Sequence, residues 1–366
     1  MSDASLIVGL MSGTSLDGID AVLVDFSGAT PLLRATRYQP YGEDLRAQIL
    51  DLHESRQGDL HLSLLIANRL AQAYAQAVSA LLADAAVRAE EVRAIGCHGQ
   101  TLRHQPVLGY SLQLNNPALL VELSGISVVA DFRSRDIAAG GQGAPLVPAF
   151  HAAMFRDDAR HRVILNVGGI ANLSDLAPGR PTQGFDCGPG NMLLDAWIQR
   201  QLGKDYDKGG GWASSGKMLT SLCERLLAHP YFALRPPKSC GREQFNLAWL
   251  ESHLSGDEAP EDVQATLVEL TAASVRQALI TSYAGVPADL YVCGGGAHNA
   301  ALLHRLRTLL APTRVDTTAA LGVAPDSVEA MAFAWLARQA LDGLPGNLPE
   351  VTGAQGRRVL GAIYPA

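Results

Sequence analysis

Hydrophobic positions in the first forty residues fall into three runs separated by short polar breaks, which predicts three consecutive strands. Leu6, Ile7, Val8 and Leu10 form a run apolar on both faces, the mark of a buried strand. It breaks into Met11-Ser12-Gly13-Thr14-Ser15-Leu16-Asp17-Gly18, a small-residue turn, and resumes over residues 19–26. A third strand is expected over 31–38. Apolar positions then take helical spacing, predicting a short helix over 43–54 and a long one over 60–83, striped by Leu62, Leu65, Ile66, Leu70, Ala73, Ala77 and Leu81. A strand at 92–96 leads into a polar loop, Cys97-His98-Gly99-Gln100-Thr101. After a short strand at 112–114 and a helix at 116–124, a strand at 126–132 ends in Asp131-Phe132-Arg133-Ser134-Arg135-Asp136.

A helix over 144–155 carries the chain onward, and the opening pattern returns. Residues 162–166 read as an apolar strand, Val167-Gly168-Gly169-Ile170 as a small-residue turn and 171–176 as a returning strand. One such unit near the start of each half predicts a duplicated domain with a nucleotide between the copies. Phe185-Asp186-Cys187-Gly188-Pro189-Gly190-Asn191 then introduces a helix over 192–201, and 204–215 reads as irregular. Helices are expected at 217–228, 245–253 and 260–283. A buried strand at 290–293 ends in Gly294-Gly295-Gly296-Ala297-His298-Asn299, followed by a helix to residue 310. A last helix covers 327–341, and a final short strand 358–363. Domains are expected at 1–140 and 141–344, with the tail 345–366 a candidate to rejoin the first.

Composition narrows the function class. A chain of 366 residues is long for one core, and 48% hydrophobic with 18% charged residues reads as soluble and globular. A net charge of −7 argues against a nucleic-acid-binding surface. No window supplies the roughly eighteen uncharged apolar residues of a membrane helix, and Met1-Ser2-Asp3-Ala4-Ser5 lacks the basic start of an export signal. Five cysteines without CxxC spacing read as reduced thiols, so the expected compartment is the cytoplasm.

Each candidate for chemistry has a plainer alternative. The turn at Gly13 is either a decorated hairpin or a phosphate-binding turn, since glycine lets a backbone approach an anion and its N–H groups converge there. Asp17 or Asp20 would face a metal or a sugar hydroxyl. His98 reads equally as a structural histidine and as a substrate contact, because ligands bind at strand ends in open α/β sheets. Arg133 belongs either to a surface ion-pair cluster or to a site. Asp186 is a helix cap or a catalytic carboxylate, and Glu329 a dipole-favourable acid or a ligand contact. Residues 211–217 match the first seven positions of a P-loop, but Met218 stands at the eighth and no strand precedes them, so that motif is rejected.

Two hairpin turns followed by a strand, three glycines and a helix resemble the fold shared by actin, sugar kinases and heat-shock chaperone ATPases. Within it, Gly9-Leu10-Met11-Ser12-Gly13-Thr14-Ser15-Leu16-Asp17-Gly18, Gly96-Cys97-His98-Gly99-Gln100-Thr101 and Ala130-Asp131-Phe132-Arg133 resemble anhydro-N-acetylmuramic acid kinases. So do Gly141-Gln142-Gly143-Ala144-Pro145-Leu146-Val147-Pro148, Asn166-Val167-Gly168-Gly169-Ile170-Ala171-Asn172 and Gly188-Pro189-Gly190-Asn191. The likeness covers nearly the whole chain. It departs at Cys187, where the family usually has threonine, and at Cys293 before the glycines.

The resemblance implies a two-domain duplicated actin-like α/β ATPase fold with an active-site cleft between the domains. It implies an enzyme that uses ATP, Mg2+ and water to open a 1,6-anhydro-muramic acid sugar and phosphorylate the freed 6-hydroxyl, in cell-wall recycling. Asp186 would take a proton from water attacking the anomeric carbon, and the departing 6-oxygen would attack the γ-phosphorus. ATP would be held by Gly13, Thr14, Ser15, Leu16, Asp17, Gly18, Ile19 and Asp20, by Gly168, Gly169 and Asn172, and by Gly294, Gly295 and Gly296. The sugar would meet His98, Gln100, Arg133 and Glu329. The magnesium ligands are left unassigned, and a homodimer is expected by resemblance alone. The rival readings are an ordinary sugar kinase of the same fold without ring opening, and a nucleotide-driven switch protein without enzymatic function.

Overall fold

In a computed structural model, residues 5–13, 16–54, 60–236, 238–282 and 287–366 are described. The first buried run forms β1 (Leu6–Ser12), with Ile7, Val8 and Leu10 wholly buried. The two runs after it form β2 (Gly18–Asp25) and β3 (Leu32–Pro40), giving an antiparallel meander. On its other side β1 pairs in parallel with β4 (Val92–Gln105), which carries the hairpin partner β5 (Tyr110–Leu114) and pairs in parallel with β6 (Val128–Ala130). The expected polar loop at 97–101 is therefore strand. Its backbone is taken up by β5, with Gln100 opposite Leu114, and by β1, with Ser12 opposite Gln100.

The same plan recurs. β7 (Arg162–Val167), β8 (Ile170–Leu176) and β9 (Gln183–Pro189) form a second antiparallel meander. β7 then pairs in parallel with β10 (Asp289–Cys293), and β10 in parallel with β11 (Arg314–Thr317). The order β3-β2-β1-β4-β6 of one sheet thus repeats, strand for strand and sense for sense, as β9-β8-β7-β10-β11 in the other. This internal repeat is the duplicated two-domain α/β fold. β12 (Ala362–Tyr364) returns to the first sheet and pairs antiparallel with β6.

One unit comprises Met1–Met154 and Ser327–Ala366, the other Phe155–Asp326. The sequence had suggested changes of domain at 140/141 and 344/345. The chain crosses later on the way out and earlier on the way back because two helices stay with the first unit. Phe150, in the helix Val147–Phe155, packs on Trp335, in the helix Val328–Leu341, at 6.3 Å between ring centroids.

The helix Val328–Leu341 is buried along most of its surface and lies flat on β1 and β4. Two glycines permit this. A Cβ on Gly9 would stand 2.0 Å from the Ala330 carbonyl oxygen, and one on Gly96 2.1 Å from that of Phe333. Backbone touches backbone there, and the contact holds Phe333 against His98 in the middle of β4. On another side, the helix Leu60–Ala85 buries Ile66, Leu70, Tyr74, Ala77 and Leu81 at helical spacing.

The second unit has its own core, built from alternate residues of β7, β8 and β9 and from the helices Asn191–Leu202, Pro260–Ser282 and Ala300–Leu310. Beside it, Tyr231, Phe232, Phe245 and Trp249 form a ring-on-ring cluster, with centroids 5.1–5.9 Å apart. Among the described residues, no helix is long and apolar enough to cross a membrane.

Candidate functional site

The first turn is held from behind. Tyr74 is buried in its helix, and its hydroxyl meets Ser12 Oγ at 2.8 Å, which leaves the Ser12 hydroxyl to donate to the Gly99 carbonyl at 3.1 Å. Gln100 Nε2 donates to the Gly13 carbonyl at 3.1 Å, and Gln100 Oε1 accepts from Tyr41 Oη at 3.3 Å. Gln100 is wholly buried, so the side chain assigned to the sugar instead fixes the turn. Leu16 (φ 57°) and Ile19 point into the core, and only their main chain is available to a ligand. A Cβ on Gly18 would lie 2.4 Å from the Gln39 carbonyl, so this glycine serves the packing of β2 on β3. Asp17 is exposed and accepts from the Gly18 N–H at 3.0 Å, while Asp20 is half-buried on β2. Thr14 and Ser15 lie outside the described residues.

Arg133 follows β6 and anchors a second group in the same unit. It donates to His98 Nε2 at 2.8 Å and to the Gly143 carbonyl at 2.7 Å. Burial, reinforced by the Arg133 charge, pushes His98 down to about 3, so the imidazole is neutral and its Nε2 accepts. The ring rests on Phe333 with centroids 4.6 Å apart. Burial pulls Arg133 to about 10, with Glu329 and Asp136 opposing that fall, and the guanidinium stays charged. Burial raises Glu329, and Arg133 counters it. The structure thus brings His98, Arg133 and Glu329 into one group. Asp136, wholly buried, accepts from Gly143 N, Asn347 Nδ2 and Thr352 Oγ1 at 2.7–2.8 Å, and this fixes the glycine-rich segment that Arg133 grips. Asp131, at the head of this turn, takes φ 57°, an uncommon conformation for a residue other than glycine.

In the second unit the glycine turn and a helix start are joined. The carbonyls of Gly168 and Gly169 accept from the N–H groups of Asn191 (2.8 Å), Gly190 (2.9 Å) and Met192 (3.2 Å). Added Cβ atoms at Gly168 and Gly169 would have no neighbour nearer than 3.8 Å, so space remains over this turn. Strand register pairs Asn166 with Asn172, and Asn172 with Asp186. Directly paired residues share a face of the sheet, so these three polar side chains form a row across β7, β8 and β9. Their neighbours Leu165, Leu173, Phe185 and Cys187 point the other way, into the core. Cys187 is therefore a buried core residue, turned away from the side where Asp186 stands.

Asp186 is gripped at three points by the segment opposite. Its N–H donates to the Lys238 carbonyl at 3.3 Å, its carbonyl accepts from Tyr231 Oη at 2.8 Å, and its Oδ2 accepts from the Cys240 N–H at 3.0 Å. Burial pushes the carboxyl up to about 6, against the Cys240 hydrogen bond and the Lys238 charge. A carboxylate so raised is still ionised at neutral pH and is a stronger base than an exposed aspartate. No helix residue takes its side chain as a cap, which removes the plainer reading.

Gly294 (φ 74°) and Gly296 fit against the end of β7, where Cβ atoms would meet Asn166 Oδ1 and Val167 Cγ1 at 2.4 Å. Gly295 alone of the three is exposed. The next helix is capped by Asn299, whose Oδ1 accepts from Leu302 N at 3.0 Å. Beside this helix lies a cavity of about 480 Å³ lined by Ser214, Met218, Ala265, Ala301, His304 and Arg305 among others. The rejected P-loop residues form part of its wall. They are short turns, with a Cβ on Gly216 only 2.1 Å from the Glu261 carbonyl.

Asn166, Lys238 and Tyr231 were not singled out in the sequence. Asn166 was legible, because it ends an apolar strand two residues before the glycines. Lys238 and Tyr231 were not, since nothing local says that residues some fifty positions away will close over Asp186. Among the described residues, no group of three or more metal-ligating side chains occurs.

Residues 5–366 match the family model described as anhydro-N-acetylmuramic acid kinase. The protein of that name from Nitrosospira multiformis is 56% identical over 365 residues, covering 99% of this chain and all of that one. Its namesake from Thiobacillus denitrificans is 58% identical over 368 residues, covering 100% and 98%. Among solved structures, a ROK family glucokinase from Streptomyces griseus in complex with glucose and AMPPNP aligns at 14% identity. It covers 91% of this chain and 99% of that one, with a TM-score of 0.41, too distant to carry an argument. With the family model and both relatives matched from end to end, the chain belongs to the anhydro-N-acetylmuramic acid kinase family of ATP-dependent sugar kinases.

Proposed function

We propose that this chain opens 1,6-anhydro-N-acetylmuramic acid with water and phosphorylates the freed 6-hydroxyl from ATP, giving N-acetylmuramic acid 6-phosphate and ADP for cell-wall recycling. The observation that carries this reading is Asp186: a mostly buried carboxylate, raised to about 6, on a face where polar Asn172 and Asn166 stand beside it. As water attacks the anomeric carbon, Asp186 takes its proton. The bond from that carbon to the 6-oxygen breaks, and the 6-oxygen attacks the γ-phosphorus while the β–γ bridge oxygen leaves with ADP. Phosphoryl transfer asks mainly for positioning and charge neutralisation.

Those tasks fall to named residues. The main chain at Gly13 and at Gly168–Gly169 cradles phosphates, the second turn being open above its glycines. The cavity beside the helix that follows the third glycine turn, lined in part by Ala265, Ala300 and Ala301, takes the flat base. Arg133 grips the lactyl carboxylate, held in aim by His98 and the Gly143 carbonyl, and Glu329 accepts from sugar hydroxyls. Mg2+ neutralises phosphate charge when bound with ATP. Such an ion needs only one or two carboxylates besides phosphate oxygens, and exposed Asp17 beside the first turn fits that donor set.

Two coarser properties complete the reading. A cytoplasmic setting is supported by five free cysteines. A homodimer is supported by the β4–β5 hairpin, which exposes Val107, Leu108, Tyr110 and Leu112, and sedimentation would report it. The test of function is ADP release with each of two acceptors. Release with the anhydro-sugar and little with N-acetylmuramic acid is expected. Equal release with both would favour an ordinary sugar kinase.

A further inference from the structure

We propose that Lys238 is a positioning residue for Asp186, its ammonium setting the pH at which the carboxylate becomes able to accept a proton. The proposal rests on Asp186 being the base. Its ground is geometric. Lys238 and Asp186 are joined directly through the main chain, with the Asp186 N–H on the Lys238 carbonyl at 3.3 Å. Two residues further on, the Cys240 N–H holds Oδ2 at 3.0 Å, which leaves Oδ1 as the oxygen free of that bond. The Lys238 ammonium stands 4.7 Å from the centre of the Tyr231 ring, and the hydroxyl of that ring donates to the Asp186 carbonyl at 2.8 Å. The lysine side chain thus lies over the ring whose hydroxyl holds the main chain of Asp186.

The charged and titratable groups around the pair can be named. Cys187 lies behind Asp186 in the core, and burial pushes its thiol far up. Burial also pushes Cys240 up to about 12 and Tyr231 higher still, so all three are neutral when the enzyme works. Glu243 bears on Cys240. Lys238 is the cation acting on Asp186, opposing a burial that would otherwise raise the carboxyl further. Without it, part of the aspartate would be protonated at neutral pH and unable to take a proton from water.

The experiment is the pH profile of kcat/KM for the anhydro-sugar in wild type, Lys238→Met, Lys238→Gln and Lys238→Arg. An opposite charge within about 4–6 Å lowers a carboxyl by about 1–3 units, and this half-buried lysine, whose pull on Asp186 is weaker than that of the Cys240 hydrogen bond, puts the case at the low end. Both neutral variants should therefore move the acid limb up by about one pH unit, costing roughly tenfold in rate on that limb and little on the plateau. Lys238→Arg should keep the wild-type limb. An unmoved limb in the neutral variants, with or without a lower plateau, overturns the proposal. Asp186→Asn is run alongside. If it stays active, the base assignment fails and this proposal with it. If it is dead while the neutral variants keep the wild-type limb, only the role of Lys238 fails.

Discussion

Asp186→Asn should make the protein more stable and nearly inactive at once. The carboxyl is pushed from 3.8 to about 6 by burial. Each unit is ~1.36 kcal/mol, so the ionised form destabilises the fold by roughly 3 kcal/mol. Asparagine removes that cost but accepts a weaker hydrogen bond from Cys240, a loss of about 1 kcal/mol. The net gain is about 2 kcal/mol at pH 7.5. The sign has a pH signature. A folded-state value above the unfolded one means that the group's stability contribution is whole below the unfolded value of 3.8 and lost as pH rises through about 6. The variant's advantage should therefore be small at pH 4 and full at pH 7.5, as read by urea unfolding of both proteins at each pH. Turnover should fall about 10²–10⁴-fold, the usual cost of losing a positioned general base. Equal stability at pH 7.5, or turnover above about a tenth of wild type, would refute the reasoning.

Three further outcomes follow from distances. Gly168→Val should fold normally, since its Cβ meets nothing nearer than 3.9 Å, yet raise KM for ATP about tenfold or more; an unchanged KM would reduce that turn to a hairpin. Gly96→Ala should destabilise by about 3 kcal/mol or more, because its Cβ falls 2.1 Å from the Phe333 carbonyl and the helix must shift; an unaltered melt would contradict that contact. Arg133→Lys cannot serve both the Gly143 carbonyl and His98, and should raise KM for the sugar about 10–100-fold while leaving that for ATP in place.

Much of this was legible in the sequence, for reasons that can be stated. β1 and β7 were plain because both faces are buried, leaving uninterrupted apolar runs, and the small-residue turns after them recur at matching points. Sequence likeness carried the family, and the place of Asp186 shortly before a helix start gave the candidate base, which the structure sets within β9. What stayed hidden was set by pairing across long separations. Gln100 sits in a polar stretch that reads as a loop, yet β5 and β1 make it strand, and Tyr41 and Gly13 take up its amide. Gly294 and Gly296 look like room for a ligand, yet β7 fills that room. Lys238 belongs to an irregular stretch with no periodicity, and its meaning comes from the strand edge it covers.

The central claim is that water enters at the anomeric carbon while the sugar's own 6-oxygen receives the phosphoryl group. Turnover in heavy-oxygen water, quenched early and compared with N-acetylmuramic acid 6-phosphate held in the same water, tests it most directly. The account predicts one heavy oxygen at the anomeric hydroxyl, beyond that gained by exchange, and none in the bridge between sugar and phosphorus. Product whose anomeric oxygen is no heavier than the exchange control, or whose phosphate bridge carries the label, would contradict it.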